Sequence, residues 1–168
     1  TAMGWALPAS IGGYLANHKN TICITGDGSF MMNIQELATI NHYKIPITII
    51  IINNGGYSMI KQTQDQWLNS NYLASSPEGG VGFPSFQEVG KSFGIESHLI
   101  SKYSELKFLK EKINKKLRKT LLIEIMIDQN WRVTPQVKFG RPNEDPEPLL
   151  KREIFIKEML IKPLEKNL

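Results

Sequence analysis

Cysteine occurs once in these 168 residues and histidine three times, which removes two functional classes at the start. No disulfide can form within the chain. Cys23 sits inside the apolar run Thr21-Ile22-Cys23-Ile24-Thr25 with no basic neighbour to lower its pKa, so a small buried side chain is expected rather than a reactive thiol. His18, His42 and His98 show no metal-ligand spacing. Long hydrophobic runs are also missing. Ile45 to Ile52 is the longest and is interrupted by Pro46 and Thr48, far short of the roughly 20 apolar residues a spanning helix needs. With no positively charged leader ahead of an apolar segment, the expected location is the cytoplasm, with no membrane partner.

The formal charge of +4 is modest. Its lysines gather between Lys102 and Lys119, where Leu106, Leu109, Ile113 and Leu117 form one helical face and Lys107, Lys110, Lys112, Lys115 and Lys119 point mostly away from it. No aromatic residue interleaves with them, so a solvated helix face is expected and nucleic-acid binding is not.

What is present is an alternation of helix and strand. Ala6 to Asn17 reads as a helix rich in small residues, and Ile22 to Thr25 as a short buried strand. Asn33 followed by Glu36 has capping-box spacing and predicts a helix over Asn33 to Tyr43. Ile47 to Ile52 is β-branched and uniformly apolar, as a central parallel strand buried on both faces would be. A polar, glycine-rich stretch runs to about Ser85, of the kind that is functional or mobile. Phe86 to Phe93 then reads as helix, Ile95 to Ile100 as extended, Ser104 to Lys119 as helix and Leu121 to Ile127 as a last buried strand. The fold class expected is α/β: an open, mostly parallel sheet with helices on both faces. A single domain over 1–127 is followed by a Pro-rich extension, 128–168, with an amphipathic stretch from Glu153 to Leu160. Because Thr1 to Trp5 looks like the middle of a loop, the chain is expected to be a fragment of a longer enzyme.

In an open α/β sheet, ligands bind at the carboxyl ends of the strands. Two polar turns stand at such ends here, Gly26-Asp27-Gly28-Ser29 and Asn53-Asn54-Gly55-Gly56. Glycines admit close backbone approach, and Asp27 with Asn54 offers one carboxylate and one amide oxygen. Magnesium suits that set, being held by one or two carboxylates together with phosphate oxygens and waters. Neither turn contains a basic residue, so a metal would neutralise the phosphates. Each turn alone is ordinary turn chemistry. Together, with Asp27 and Asn54 spaced 27 residues apart across a helix and a strand, they are far more specific.

At this spacing the sequence resembles the thiamin-diphosphate enzymes, whose signature runs from Gly-Asp-Gly to Asn or Asn-Asn. Gly26 to Phe30 with Gln35-Glu36-Leu37-Ala38-Thr39 resembles the C-terminal domain of the acetolactate synthase (acetohydroxyacid synthase) large subunit. The segment Thr1 to Gly12 is similar to its Gly-x-Met-Gly-x-x-Leu-Pro motif. The likeness is firm over Thr1 to Gln64 and looser to Ile127. It implies thiamin diphosphate and Mg²⁺ as cofactors, with the metal on Asp27, Asn54 and the Gly56 carbonyl. Gly26, Gly28, Ser29 and the backbone near Tyr57, Ser58 and Met59, at the start of a following helix, would take the diphosphate. Met3 would lie under the thiazolium ring.

The family also uses a glutamate from another domain to activate the pyrimidine, and no residue here matches it. Glu36, Asp65, Glu78 and Glu88 qualify by type only and are expected to be exposed. The resemblance thus implies no catalytic residue in this chain, inactivity alone, a missing pyrimidine-binding domain, a homodimer or homotetramer and a 2-oxo acid substrate. Two positions depart from the family pattern. Thr1 stands where Gly is common, and Thr63 where the synthases have Trp in Met-Val-x-Gln-Trp-Gln. Thr63 leaves a roomier, more polar pocket, so a decarboxylase or carboligase with a different acceptor stays open, as does a non-catalytic diphosphate-binding module. A Rossmann-like nucleotide domain of another class would need Gly-x-Gly-x-x-Gly after its first strand, which is absent. Trp67, Tyr72 and Phe83 would either cover the cofactor or anchor the loop that carries them.

Overall fold

The isoleucine-rich run forms the strand it predicts, Ile47–Asn53, and only Ile52 within it is less than fully buried. Around this strand the computed structural model describes residues 2–113, 118–138 and 140–163. The elements are α1 (Ala6–Asn17), β1 (Thr21–Gly26), α2 (Asp27–Met31), α3 (Glu36–Tyr43), β2 (Ile47–Asn53), α4 (Ser58–Trp67), α5 (Phe86–Ser92), β3 (Glu96–Ile100), α6 (Leu106–Ile113), β4 (Leu121–Met126) and α7 (Arg152–Glu158). The strands are ordered β1-β2-β4-β3, and every pair is parallel. The open sheet is therefore the expected one, with no antiparallel member.

Side chains of β2 alternate between two apolar layers. Ile47, Ile49 and Ile51 join Leu7 and Ile11 of α1, Leu37 and Ile40 of α3 and Phe86 of α5. On the opposite face Leu106, Phe108 and Leu109 of α6 cover Ile100, Leu121 and Ile123. Helices thus lie on both faces, as β-crossovers in a parallel sheet require. Lys107 and Lys110 of α6 are exposed, in keeping with a solvated face, while Lys115 and Leu117 of that expectation lie outside the described residues. Among the described residues no helix is long and apolar enough to cross a membrane.

Three sequence expectations are corrected. β1 is only half buried: Cys23 is 2% exposed, but Ile22 and Ile24 are 45% and 65% exposed. It is an edge strand, and nothing among the described residues covers its outer face. α3 begins at Glu36, not Asn33, and its cap residue Gln35 makes no side-chain capping bond. Asn33 does not cap because its amide donates to the Gly4 carbonyl (2.7 Å), and the Glu36 carboxylate accepts from the Thr39 hydroxyl (2.9 Å). The stretch after β2, finally, is no continuous loop. α4 occupies its first part, and the remainder folds back so far that Ser75 and Ser76 are 0% and 1% exposed. Tyr57 N–H donates to the Ser75 carbonyl (2.9 Å), the Gln64 amide donates to the Leu73 carbonyl (2.9 Å), and the Ser75 hydroxyl donates to the Gln64 side-chain oxygen.

The C-terminal extension runs along α4. Ser58 Oγ donates to the Trp131 carbonyl (3.1 Å), Lys61 Nζ to the Gln129 carbonyl (3.1 Å), and Val133 N–H to Gln62 Oε1 (3.1 Å). Beyond it α7 sits where the amphipathic stretch was expected, burying Phe155.

Candidate cofactor and metal site

Parallel pairing of β1 with β2 sets Gly26 opposite Ile52, so the two polar turns leave the sheet side by side. Asp27 follows Gly26 at 4% exposure. Its Oδ2 accepts the N–H groups of Asn54 (3.0 Å), Gly55 (2.9 Å) and Gly56 (3.3 Å), and its Oδ1 accepts Gly28 N–H (2.6 Å). One carboxylate thereby gathers the whole second turn. Asn54 Oδ1 accepts Gly56 N–H (3.2 Å), and Gly55 has φ +72°, a conformation that favours glycine.

This carboxylate has no Lys or Arg partner in the ion pairs of the described residues. Burial pushes its pKa up, against the downward pull of the bonds from Gly28, Asn54, Gly56 and Gly55. A buried charge without a counter-ion is costly, and a cation is the partner it lacks. Among the described residues no three His, Cys, Asp or Glu side chains gather. A metal here would therefore have one carboxylate (Asp27), one amide oxygen (Asn54) and a main-chain carbonyl (Gly56), each with lone pairs to spare. Those are hard oxygen donors of the kind magnesium takes.

Glycine is dictated by packing at two of the flanking positions. A Cβ on Gly28 would lie 2.2 Å from the Tyr57 ring, and one on Gly56 would lie 2.6 Å from the Ser75 carbonyl. Ser29 Oγ accepts Gly4 N–H (2.9 Å), which draws the Met3-Gly4 loop to the start of α2 and leaves Met3 about half exposed beside it. Gly26 is extended and exposed between β1 and α2. At the start of α4, Tyr57 N–H is committed to Ser75 and Ser58 N–H to the Gly56 carbonyl (3.2 Å). Met59 and Ile60 come next, in the first turn, where N–H groups have no intrahelical acceptor. Met59 itself is 62% exposed.

The family model of the thiamine pyrophosphate enzyme C-terminal TPP binding domain matches residues 1–125. The chain belongs to this family. Relatives of this TPP-binding domain include the acetolactate synthase large subunit of Porphyra purpurea, 37% identical over 144 residues, which cover 84% of this chain and 24% of that protein. The Haemophilus influenzae acetolactate synthase large subunit is 36% identical over 148 residues, 84% of this chain and 25% of that one. The thiamine diphosphate-dependent 4-hydroxybenzoylformate decarboxylase of Rhodococcus jostii RHA1 superimposes with a TM-score of 0.63 at 27% identity, covering 75% of this chain and 23% of that one. The domain thus spans about a quarter of the length of its curated relatives.

Other sequence candidates fall outside these turns. Asp65, expected to be exposed, is partly buried: Arg132 Nε donates to it (2.7 Å), as does the Tyr72 hydroxyl. Burial alone would raise its pKa, but the bonds from Tyr72 and Arg132 outweigh that and hold it below the usual carboxylate range. Tyr72 is thereby part of a clip to the C-terminal extension, and Phe83 packs edge-on to Tyr57 with ring centroids 5.8 Å apart. Both anchor the loop. Thr63 lines a cleft with Met59, Gln66, Pro135 and Arg141, formed between α4 and the C-terminal segment. Sequence reasoning missed Glu124, a carboxylate 2% exposed on β4. Its signal was present: one acid inside Leu121-Leu122-Ile123-Glu124-Ile125-Met126.

Proposed function

We propose that this domain holds the diphosphate and Mg²⁺ of thiamin diphosphate in an acetolactate-synthase-like enzyme that decarboxylates a 2-oxo acid and joins the product to an acceptor. The observation that carries the reading is the buried Asp27 carboxylate, unpaired by any basic residue, drawn against the Asn54-Gly55-Gly56 turn by three N–H bonds. Asp27, Asn54 and the Gly56 carbonyl would hold the cation. Gly28, Ser29 and the first turn of α4 at Ser58 and Met59 would face the diphosphate, with the Tyr57 ring packed on Gly28. Met3, tethered through Gly4 to Ser29, would support the thiazolium ring.

When bound, thiamin diphosphate supplies a carbanion equivalent that attacks the 2-oxo acid and accepts the electrons released on decarboxylation. The chain's own contribution is to orient and neutralise. A glutamate from a pyrimidine-binding domain in a homodimer or homotetramer would supply the proton transfer, so the isolated chain is proposed to turn nothing over. Carboligation by the purified 168-residue chain would sink that part.

Thr63 supports a second reading of the substrate. In the cleft between α4 and the C-terminal segment it leaves open the volume that a Trp would fill, which suits a different acceptor or a simple decarboxylation.

The test is a calorimetric titration of thiamin diphosphate into the chain with and without Mg²⁺, beside Asp27→Ala. Binding should require the metal and weaken by at least about 100-fold in the variant, the upper end for loss of a metal-site residue. Affinity indifferent to both would refute the site.

A further inference from the structure

Glu124 is a conspicuous cost in the middle of the sheet. It lies on β4 between Ile51 of β2 and Leu99 of β3, and it is 2% exposed with no basic partner in the ion pairs of the described residues. An aliphatic residue there would spare the desolvation of a carboxylate. What the carboxylate does instead is accept twice. Asn53 Nδ2 donates to its Oε1 (2.7 Å), and Gln87 N–H, in the first turn of α5, donates to its Oε2 (2.8 Å). Asn53 is itself 6% exposed, and its Oδ1 accepts Gly55 N–H (2.9 Å). That same N–H also reaches Asp27 Oδ2.

The bonds have a direction. A carboxylate only accepts, so Asn53 must present its NH₂ to Glu124, and this turns its oxygen to Gly55. From the floor of the sheet, then, a side chain that touches neither Asp27 nor the Asn54-Gly55-Gly56 segment fixes which way the Asn53 amide faces and hence how that segment closes on Asp27. We propose that Glu124, acting through Asn53, is the positioning residue that sets this turn for the cation. The proposal rests on the Mg²⁺ and diphosphate reading above and extends it to a residue outside both turns.

Glu124→Gln tests the direction rather than the size of the group. The new side chain's oxygen can accept from Gln87, but its NH₂ then meets the Asn53 NH₂. Asn53 can escape only by flipping, which sets its NH₂ against Gly55 N–H. Adding Asn53→Asp restores the order: the introduced amide donates to the introduced carboxylate, which in turn accepts from Gly55 N–H, and the number of carboxylates returns to that of the natural chain. Glu124→Gln should weaken Mg²⁺-dependent thiamin diphosphate binding about 10-fold or more, as loss of a residue that orients metal ligands does. The double variant should recover to within a factor of about three, well inside that loss.

Amide hydrogen exchange at Gly55 in the cation-free chain should accelerate in Glu124→Gln and slow again in the double variant. A role in packing alone predicts no rescue, because Asn53→Asp fills no space. Wild-type affinity in Glu124→Gln, no rescue by the second change, or unaltered Gly55 exchange would each overturn the proposal. If Asp27→Ala loses metal-dependent binding while Glu124→Gln keeps it, this inference fails and the site reading stands. If the natural chain shows no metal-dependent binding, both fail.

Discussion

At the ends of β1 and β2 the hydrogen bonds run from backbone N–H groups to one buried carboxylate, whereas the C-terminal segment is fastened to α4 by side chains. Three consecutive N–H groups point at Asp27, and their positions follow from the register of two paired strands. Along α4, the bonds to Gln129 and Trp131 instead start from the side chains of Lys61 and Ser58, and Arg132 is held by Asp65. Geometry carried by backbone is inherited from the core beneath it. Geometry carried by charged side chains depends on their protonation and on salt. The strand ends should therefore respond to damage in the sheet, and the C-terminal segment to changes of charge.

The largest effect should come from the sheet. Ile49 is fully buried in the layer shared with α1 and α3, and pairs with Cys23 of β1. Ile49→Ala should cost about 2–5 kcal/mol in urea unfolding, the range for such a truncation in a packed core. A loss under about 1 kcal/mol, well below that range, would mean that this layer relaxes into the cavity, and that the strand ends are not held by the core as argued.

Next comes Gly56. A methyl group there would meet the Ser75 carbonyl at 2.6 Å, and that carbonyl is backbone, pinned by Tyr57 N–H. Gly56→Ala should cost about 1–3 kcal/mol in the same unfolding measurement, as overpacking does, with weaker cofactor affinity. Gly28 makes a sharper contrast, because the atom its methyl group would meet belongs to the Tyr57 side chain, which can swing away.

These same positions show what the sequence could and could not reveal. β2 was legible because a β-branched run buried on both faces has no other home, and the two turns were legible because Asp, Asn and Gly carry conformational demands of their own. The adjacency of those turns followed once β1 and β2 were neighbours. By contrast, Asn33 carries a capping signal that local spacing cannot distinguish from what it does, since its amide is claimed by Gly4, 29 residues away. The exposure of Ile22 and Ile24 depends on what lies beside an edge strand, and hydropathy alone gives no hint of it. Glu124 was visible as an anomaly, yet its role needs the register that sets β4 beside β2 and the fold of Asn53 toward it. Long-range partners decide these three cases.

The smallest effect, and the one that isolates the C-terminal half of the comparison, concerns Asp145. It is 1% exposed and accepts from Arg152 Nη1 (2.9 Å) and Nη2 (2.8 Å) and from Arg141 Nη2 (2.7 Å). The Arg152 guanidinium holds its carboxyl below the usual range, with Arg141 adding to the pull and burial opposing it. A lowered folded pKa means that the unfolded segment binds the proton more readily. The contribution of this clip is therefore present above the unfolded carboxyl pKa of about 3.9 and lost as the pH falls through the lower folded value. Hydrogen exchange around α7, corrected for the intrinsic rate at each pH, should rise below about pH 4, close to that unfolded value, while β2 and β4 stay protected. Asp145→Asn should produce the same local opening at about pH 7, where the natural carboxylate is fully ionised, and abolish further response on acidification. Asp65 is lowered too, so the stretch around Arg132 should still respond in that variant. If α7 in Asp145→Asn still opened with acid, the titrating group would lie elsewhere, and charge at Asp145 would no longer explain how this end of the chain is held.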